Sequence, residues 1–234
     1  MHLRSPDIAL AAAGLAIAGA TIGVLVLADA GRERNGAARI DPHVAADVLD
    51  IRSQALTRLA HAFTLVGSEP VVGTLAVLLF IVLLERRGQL YAAFAAAGMT
   101  VSVGLTVAVK LAVERPRPGP IDRLGPVDHS YSFPSGHTLN STVLLGLLVI
   151  LLLPVIRERM LRTSMLVGAV LLALAIGWSR VYLGYHWATD VVASWLLATA
   201  VLLGVYAATR LAANRSGTAS GRPDRTRTQT ASTA

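Results

Sequence analysis

The stretch "MLVGAVLLALAIGWSRVYLGYHWATDVVASWLLATAVLLGVYAATRL", residues 165–211, holds two apolar runs, 165–181 and 187–211, separated by a short polar junction. Each run is close to the length of a membrane crossing, since an α-helix rising 1.5 Å per residue needs about 20 apolar residues to span about 30 Å of hydrocarbon. Apart from Arg210 near the far end, the acidic, basic and histidine residues of the stretch are Arg180, His186 and Asp190, all at the junction. A charge at the bilayer centre costs about 2.5–3.5 kcal/mol on insertion scales, so charges beside apolar runs mark helix ends and sites of use.

The whole chain follows the same pattern. It has 234 residues, of which 54% are hydrophobic and 15% charged; soluble domains carry about 25% charged residues. Further apolar runs at residues 8–28, 70–84, 90–113 and 137–156 give six transmembrane helices in one all-α membrane domain covering residues 1–211. There is no cysteine, which excludes disulfides and thiolate chemistry. The net charge of +7 reads as topology signals and headgroup contacts rather than a nucleic-acid footprint. The longest connection, residues 29–69, contains "VLDIRSQALTRLAHAFTLVG", with Leu49, Leu56, Leu59, Phe63 and Val66 near helical spacing. It predicts one or two amphipathic helices at the interface within residues 42–69, or a re-entrant lead into the second span. From Ala212 the chain turns to Ser, Thr, Gly and Arg, too polar to repay ordering, so residues 212–234 are expected to be a disordered cytoplasmic tail.

The Ala28-Asp29-Ala30 triplet resembles a leader-cleavage site, but the preceding run exceeds the 7–15 residues of a leader's apolar core, and a retained first helix is expected. The short loops "ERRGQ" (85–89) and "RERMLR" (157–162) are rich in arginine and belong in the cytoplasm. Arginines in residues 29–69 weaken this bias, but it is best defined in short loops. The expected location is the inner (plasma) membrane, with both termini cytoplasmic. The connections between spans three and four and between spans five and six then share the outer face.

Those two connections hold the unusual residues. Lys110 and Arg117 lie at the end of span three in "KLAVERPRP"; Ser135, Gly136 and His137 open span four in "FPSGH"; Arg180 closes span five; His186 and Asp190 open span six. Lys110, Arg117 and Arg180 form a cationic cluster, and a guanidinium grips phosphate with a two-pronged fork. The helix opened by Ser135 and Gly136 offers free N–H groups and a positive dipole end. Gly136 lets the backbone approach closely, and Ser135 adds a hydroxyl donor. His186 and Asp190, four apart, share a helix face, so the carboxylate can hold one ring nitrogen and leave the other as a lone pair. His186 is the expected nucleophile and Asp190 its orienter. His137, with no such partner nearby in sequence, suits proton transfer to the leaving oxygen. A metal site built on these residues is disfavoured by the surrounding Lys and Arg.

The sequence resembles the type 2 phosphatidic acid phosphatase superfamily, membrane lipid phosphatases related to soluble vanadium haloperoxidases. Lys110 through "LAVERP" to Arg117-Pro118 matches the K-x6-R-P part; Pro134 to His137 matches P-S-G-H; Ser179-Arg180, His186 and Asp190 match S-R-x5-H-x3-D. The resemblance covers residues 110–190 directly. It implies a phosphatidic acid phosphatase type 2/haloperoxidase-like core. Phosphate would be bound by Lys110, Arg117, Ser135, Gly136 and Arg180. His186 would form a phosphohistidine, His137 would be acid and then base, Asp190 would orient His186, and no metal or other cofactor is needed. Many members have proline where Ala188 stands and glycine where Ser194 stands, departures that fall on no assigned catalytic role. Arg115 forms a second Arg-Pro out of family register and is a second-line candidate.

The expected activity is metal-independent hydrolysis of phosphomonoester or pyrophosphate groups on lipids. An isoprenoid diphosphate is favoured, with phosphatidylglycerol phosphate and phosphatidic acid as alternatives. The partners are lipid phosphate and membrane lipids, with no nucleic acid and no oligomeric state indicated. Phosphotransfer to another lipid acceptor, a non-catalytic lipid-binding or transport role, and halide oxidation with vanadate are the competing readings.

Overall fold

The computed structural model describes residues 5–119 and 122–220. Among these the regular elements are helical: α1 (Ser5–Glu33), α2 (Asp41–Asp50), α3 (Gln54–Val66), α4 (Glu69–Arg87), α5 (Gln89–Val113), α6 (Gly136–Leu152), α7 (Arg159–Tyr182) and α8 (Ala188–Ser220), with 3₁₀ turns at Gly36–Ile40 and Leu153–Val155. Five stretches are long and apolar enough to cross a membrane: Ile8–Glu33, Gln89–Val113, Gly136–Val155, Arg159–Tyr182 and Ala188–Asn214. The chain is an all-α, multi-pass membrane bundle.

The second expected span takes a different form. Glu69 at one end of α4 and Glu85, Arg86 and Arg87 at the other confine its uncharged run to residues 70–84. Fifteen residues at 1.5 Å each reach only about 22 Å, short of about 30 Å of hydrocarbon. Helix α4 completes a candidate crossing only together with α3, to which it is bent by 44°. The segment read as interfacial helices is thus α2 and α3. Ser53 caps α3, its hydroxyl accepting from the Leu56 N–H at 3.3 Å, which satisfies one of the donors a helix start leaves orphaned. Helix α8 runs to Ser220, past the boundary expected at Leu211; residues 221–234 of the expected tail lie outside the described residues.

Helix α6 sits at the centre. Its Leu139, Val143, Leu144, Leu147 and Leu151 are buried in one cluster with Leu79 and Leu83 of α4, Ala92 and Ala95 of α5, and Ala193, Leu197, Ala198 and Val201 of α8. Alanines on α5 and α8 let their backbones come close to the larger side chains of α6, the usual packing in lipid, where apolar contact alone gives no preference for protein over tails. The outward faces stay apolar: Val103, Val107 and Leu111 of α5 and Val167, Val170, Leu171 and Leu174 of α7 are all exposed.

The polar ends gather on one side. Helix α5 ends as Glu114 turns left-handed at φ 52°, its N–H capping the Lys110 carbonyl. Arg32, at the end of α1, donates to the carbonyls of Ala112 and Val113. Helix α7 ends at Tyr182, and Gly184 takes φ 74°, a conformation open to glycine at little cost. A Cβ there would also stand 2.7 Å from the Asp122 carbonyl oxygen. This turn brings His186 back under Arg180, whose carbonyl accepts from the His186 N–H at 3.2 Å.

Candidate active site

The segment Arg115-Pro116-Arg117-Pro118 follows the turn at Glu114. A residue before proline is driven to extended backbone, and although residues two apart in a pleated strand would share a face, the contacts of the two arginines diverge. The two arginines accordingly do different work. Arg117 turns to the histidine: its Nη1 donates to the Tyr185 carbonyl at 2.7 Å and lies 3.2 Å from His186 Nε2. Its Nε donates to the Ser130 carbonyl at 2.8 Å, and its Nη2 pairs with Asp128 at 2.6 Å. Arg115 turns the other way, onto Asp190 Oδ1 at 2.5 Å and Asp41 Oδ2 at 2.6 Å.

His186 and Asp190 are brought together as their spacing predicts, with Nδ1 3.4 Å from Oδ2. The approach does not reach hydrogen-bond geometry, and Nδ1 is left without a partner. Asp190 Oδ2 is already occupied by the Ser132 hydroxyl and by the Trp187 N–H at 2.9 Å. Asp190 is fully buried and His186 is 3% exposed. Burial first, and then the charges of Arg117, Arg180 and Lys110, press the His186 imidazole well below its ordinary pKa, so it stands neutral with a lone pair available. In the loop above, burial raises the Asp128 pKa, but the Ser130 N–H and the Arg117 guanidinium outweigh it and hold the carboxyl below its usual range.

The remaining expected residues line the same end of the bundle. Lys110 Nζ donates to Ser130 Oγ at 3.2 Å and to the Tyr131 carbonyl, which puts it beside Arg117. Arg180 lies over the Tyr185 ring at 4.1 Å, and its Nη1 donates to Thr64 of α3 at 2.5 Å. His137 is half-buried in the first turn of α6. It bears electrostatically on His186. Gly136 leaves a gap that a Cβ would close to 3.1 Å against Thr106. Ser135 is fully buried; its N–H donates to Ser194 Oγ at 2.9 Å and its Oγ accepts from Thr138 at 3.0 Å.

The sequence did not reveal several contributors. Ser132, Asp41 and Thr64 reach the site across 58, 149 and 116 positions of chain (190−132, 190−41 and 180−64), so no local spacing marks them. Ser194, read only as a departure in the packing of α8, donates to both the Ser135 and Asp190 carbonyls, at 3.1 and 2.7 Å. It ties the start of α6 to the first turn of α8.

Residues 88–213, more than half the chain, match the family model of the PAP2 superfamily. The chain belongs to the PAP2 superfamily. All eight expected site residues fall within that PAP2 region. An undecaprenyl-diphosphatase of Sulfolobus acidocaldarius is 38% identical over 81 residues, which is 33% of this chain and 34% of that protein. The match thus spans about a third of the length of that curated relative. The PAP2 fold extends beyond the matched region. A transmembrane PAP2-type phosphatidylglycerolphosphate phosphatase from Bacillus subtilis superposes with a TM-score of 0.70 at 23% identity, covering 89% of this chain and 98% of that one. LpxE from Aquifex aeolicus superposes with a TM-score of 0.56 at 21% identity, over 73% of this chain and 95% of that one.

Proposed function

We propose that this PAP2 protein is a membrane phosphatase that removes phosphate from lipid phosphomonoesters or diphosphates through a phosphohistidine. The observation that carries the reading is the His186 imidazole, with Nδ1 toward Asp190 and Nε2 toward the cations. When the phosphoryl group enters, Arg117 Nη1 exchanges the imidazole for a phosphate oxygen, and Lys110, Arg180 and the first N–H groups of α6 take the others. Nε2 then attacks phosphorus. The bond to the leaving oxygen breaks, and His137 gives that oxygen a proton. In the second step His137 takes a proton from water, the water oxygen attacks phosphorus, the P–N bond breaks and inorganic phosphate leaves. Charge that builds on the equatorial oxygens is met by donors already in place. The incoming anion itself favours the protonated form of His137.

An isoprenoid diphosphate is the favoured substrate, supported by the likeness to the Sulfolobus acidocaldarius undecaprenyl-diphosphatase. A cavity of about 290 Å³ reaches Gly136 at the start of α6, with Val72, Met99, Val103 and Val107 on its wall beside Glu69, Thr106 and Asn140, and is the candidate place for the lipid tail. The arginine-rich loops support a site at the outer face of the inner membrane. The test is phosphate release from isoprenoid diphosphates, phosphatidylglycerol phosphate and phosphatidic acid by the purified chain in detergent, beside His186→Ala. Release should vanish in the variant, and the kcat/KM order identifies the lipid; wild-type rates in His186→Ala would overturn the mechanism.

A further inference from the structure

We infer that Arg115, anchored by Asp41, is a positioning residue that holds Asp190 in register with His186, so that α2 is tied to the chemistry. The inference rests on the phosphohistidine reading above. Asp190 Oδ2 faces His186 and is held by Ser132 and Trp187, whereas Oδ1 is held by Arg115 Nη1 at 2.5 Å. Without that second grip the carboxylate can rotate about its Cβ–Cγ bond, and the oxygen facing Nδ1 moves.

Arg115 is itself fixed from three directions. Nη2 is paired with Asp41 at 2.6 Å, Nη1 also donates to Thr189 Oγ1 at 2.8 Å, and the guanidinium lies 5.6 Å from the centre of the Trp187 ring. Gly31 of α1 makes room, since a Cβ there would stand 3.0 Å from Arg115 Nε. Asp41 closes the circuit by accepting from both the Thr189 N–H, at 3.0 Å, and the Thr189 hydroxyl, at 2.5 Å. Arg115, Asp41 and Asp190 are 5%, 2% and 0% exposed. A buried network of this kind, one guanidinium held between two hydrogen-bonded carboxylates, fixes orientation rather than binding ligand. It also separates Arg115 from phosphate binding, the role its neighbour Arg117 is placed to serve.

The experiment uses the full chain in detergent, with phosphate release from farnesyl diphosphate and dioleoyl phosphatidic acid as probes. Arg115→Gln should lower kcat about 10- to 100-fold, the range for loss of a partner that orients a reacting group, and leave KM nearly unchanged; Arg115→Lys should restore part of the rate. In an Asp190→Asn background, Arg115→Gln should cost far less than in wild type, because its effect passes through Asp190. An equal cost in both backgrounds would overturn the inference, as would a raised KM with kcat intact. Should Arg115→Gln not fold, Asp41→Asn keeps the arginine but removes the charge that anchors it, and should lower kcat; a wild-type kcat there refutes the anchor. Loss of all wild-type release, or activity surviving in His186→Ala, defeats the underlying mechanism and the inference with it. Those two controls holding while Arg115→Gln stays wild type defeats the inference alone.

Discussion

Replacing Gly184 by alanine tests whether the turn after α7 sets the position of His186. The residue sits at φ 74°, where an L side chain costs about 1–2 kcal/mol. The new Cβ would stand 2.7 Å from the Asp122 carbonyl oxygen, whereas carbon–oxygen contacts settle near 3.3–3.6 Å. Something must therefore move by about 0.6 Å or more. The opposing atom is backbone, and it is pinned by Arg52 Nη2 at 2.6 Å, with the neighbouring Leu124 N–H on the Leu183 carbonyl at 3.0 Å. The strained segment gives way toward His186, two residues on. The combined cost is about 2–3 kcal/mol, or roughly 4–12 °C in melting temperature for a chain of this size. Misplacing a nucleophile by about 1 Å can cost about 100-fold in rate. The assay is thermal unfolding in detergent together with kcat for phosphate release. Gly168→Ala on α7 is the control, because nothing lies within 4 Å of the added methyl; it should leave both quantities near wild type. A Gly184→Ala protein that melts and turns over like the control would refute the reasoning.

Three further outcomes follow from the site. Because burial and the neighbouring cations lower the His186 pKa, the free enzyme keeps its lone pair below the ordinary histidine pKa of about 6.5, so the acid limb of kcat/KM should fall below that pH. The sign for stability agrees: the unfolded chain binds this proton more readily, so acid below about 6.5 progressively favours unfolding. A limb centred above neutrality would contradict the assigned nucleophile. On the proposed mechanism, in which cationic side chains meet the phosphate charge, phosphate release should persist in EDTA; loss reversed by a single divalent ion would overturn it. A reporter fused after Ala212 should be cytoplasmic, and an external signal would move the site to the inner face.

The bundle and the gathering of eight residues at one of its ends were legible because both rest on local signals: long apolar runs, and charges set against their ends. The α3–α4 crossing was less legible. Its apolar length falls short, and a candidate crossing needs α3 as well, across a 44° bend, where the sequence left an interfacial and a re-entrant reading open. Arg115 was visible as a residue but not as a partner of Asp190. Its direction depends on the left-handed turn at Glu114 and on a buried carboxylate contributed by α2. Ser194 looked like a packing substitution because its two carbonyl acceptors are defined only once α6 and α8 are in contact.

The Arg115-Pro116-Arg117-Pro118 segment has a mechanical consequence. Two proline rings fix alternate φ angles, so the segment behaves as a stiff bar with one guanidinium on each side. One end grips the carboxylate behind the histidine and the other reaches its front. Both grips end on the turn before α8 and on its first turn, so a movement of α5 against α8 pulls on carboxylate and imidazole at once. Deformation of the solvent in which the bundle is dissolved thus reaches the carboxylate and the imidazole through one rigid link.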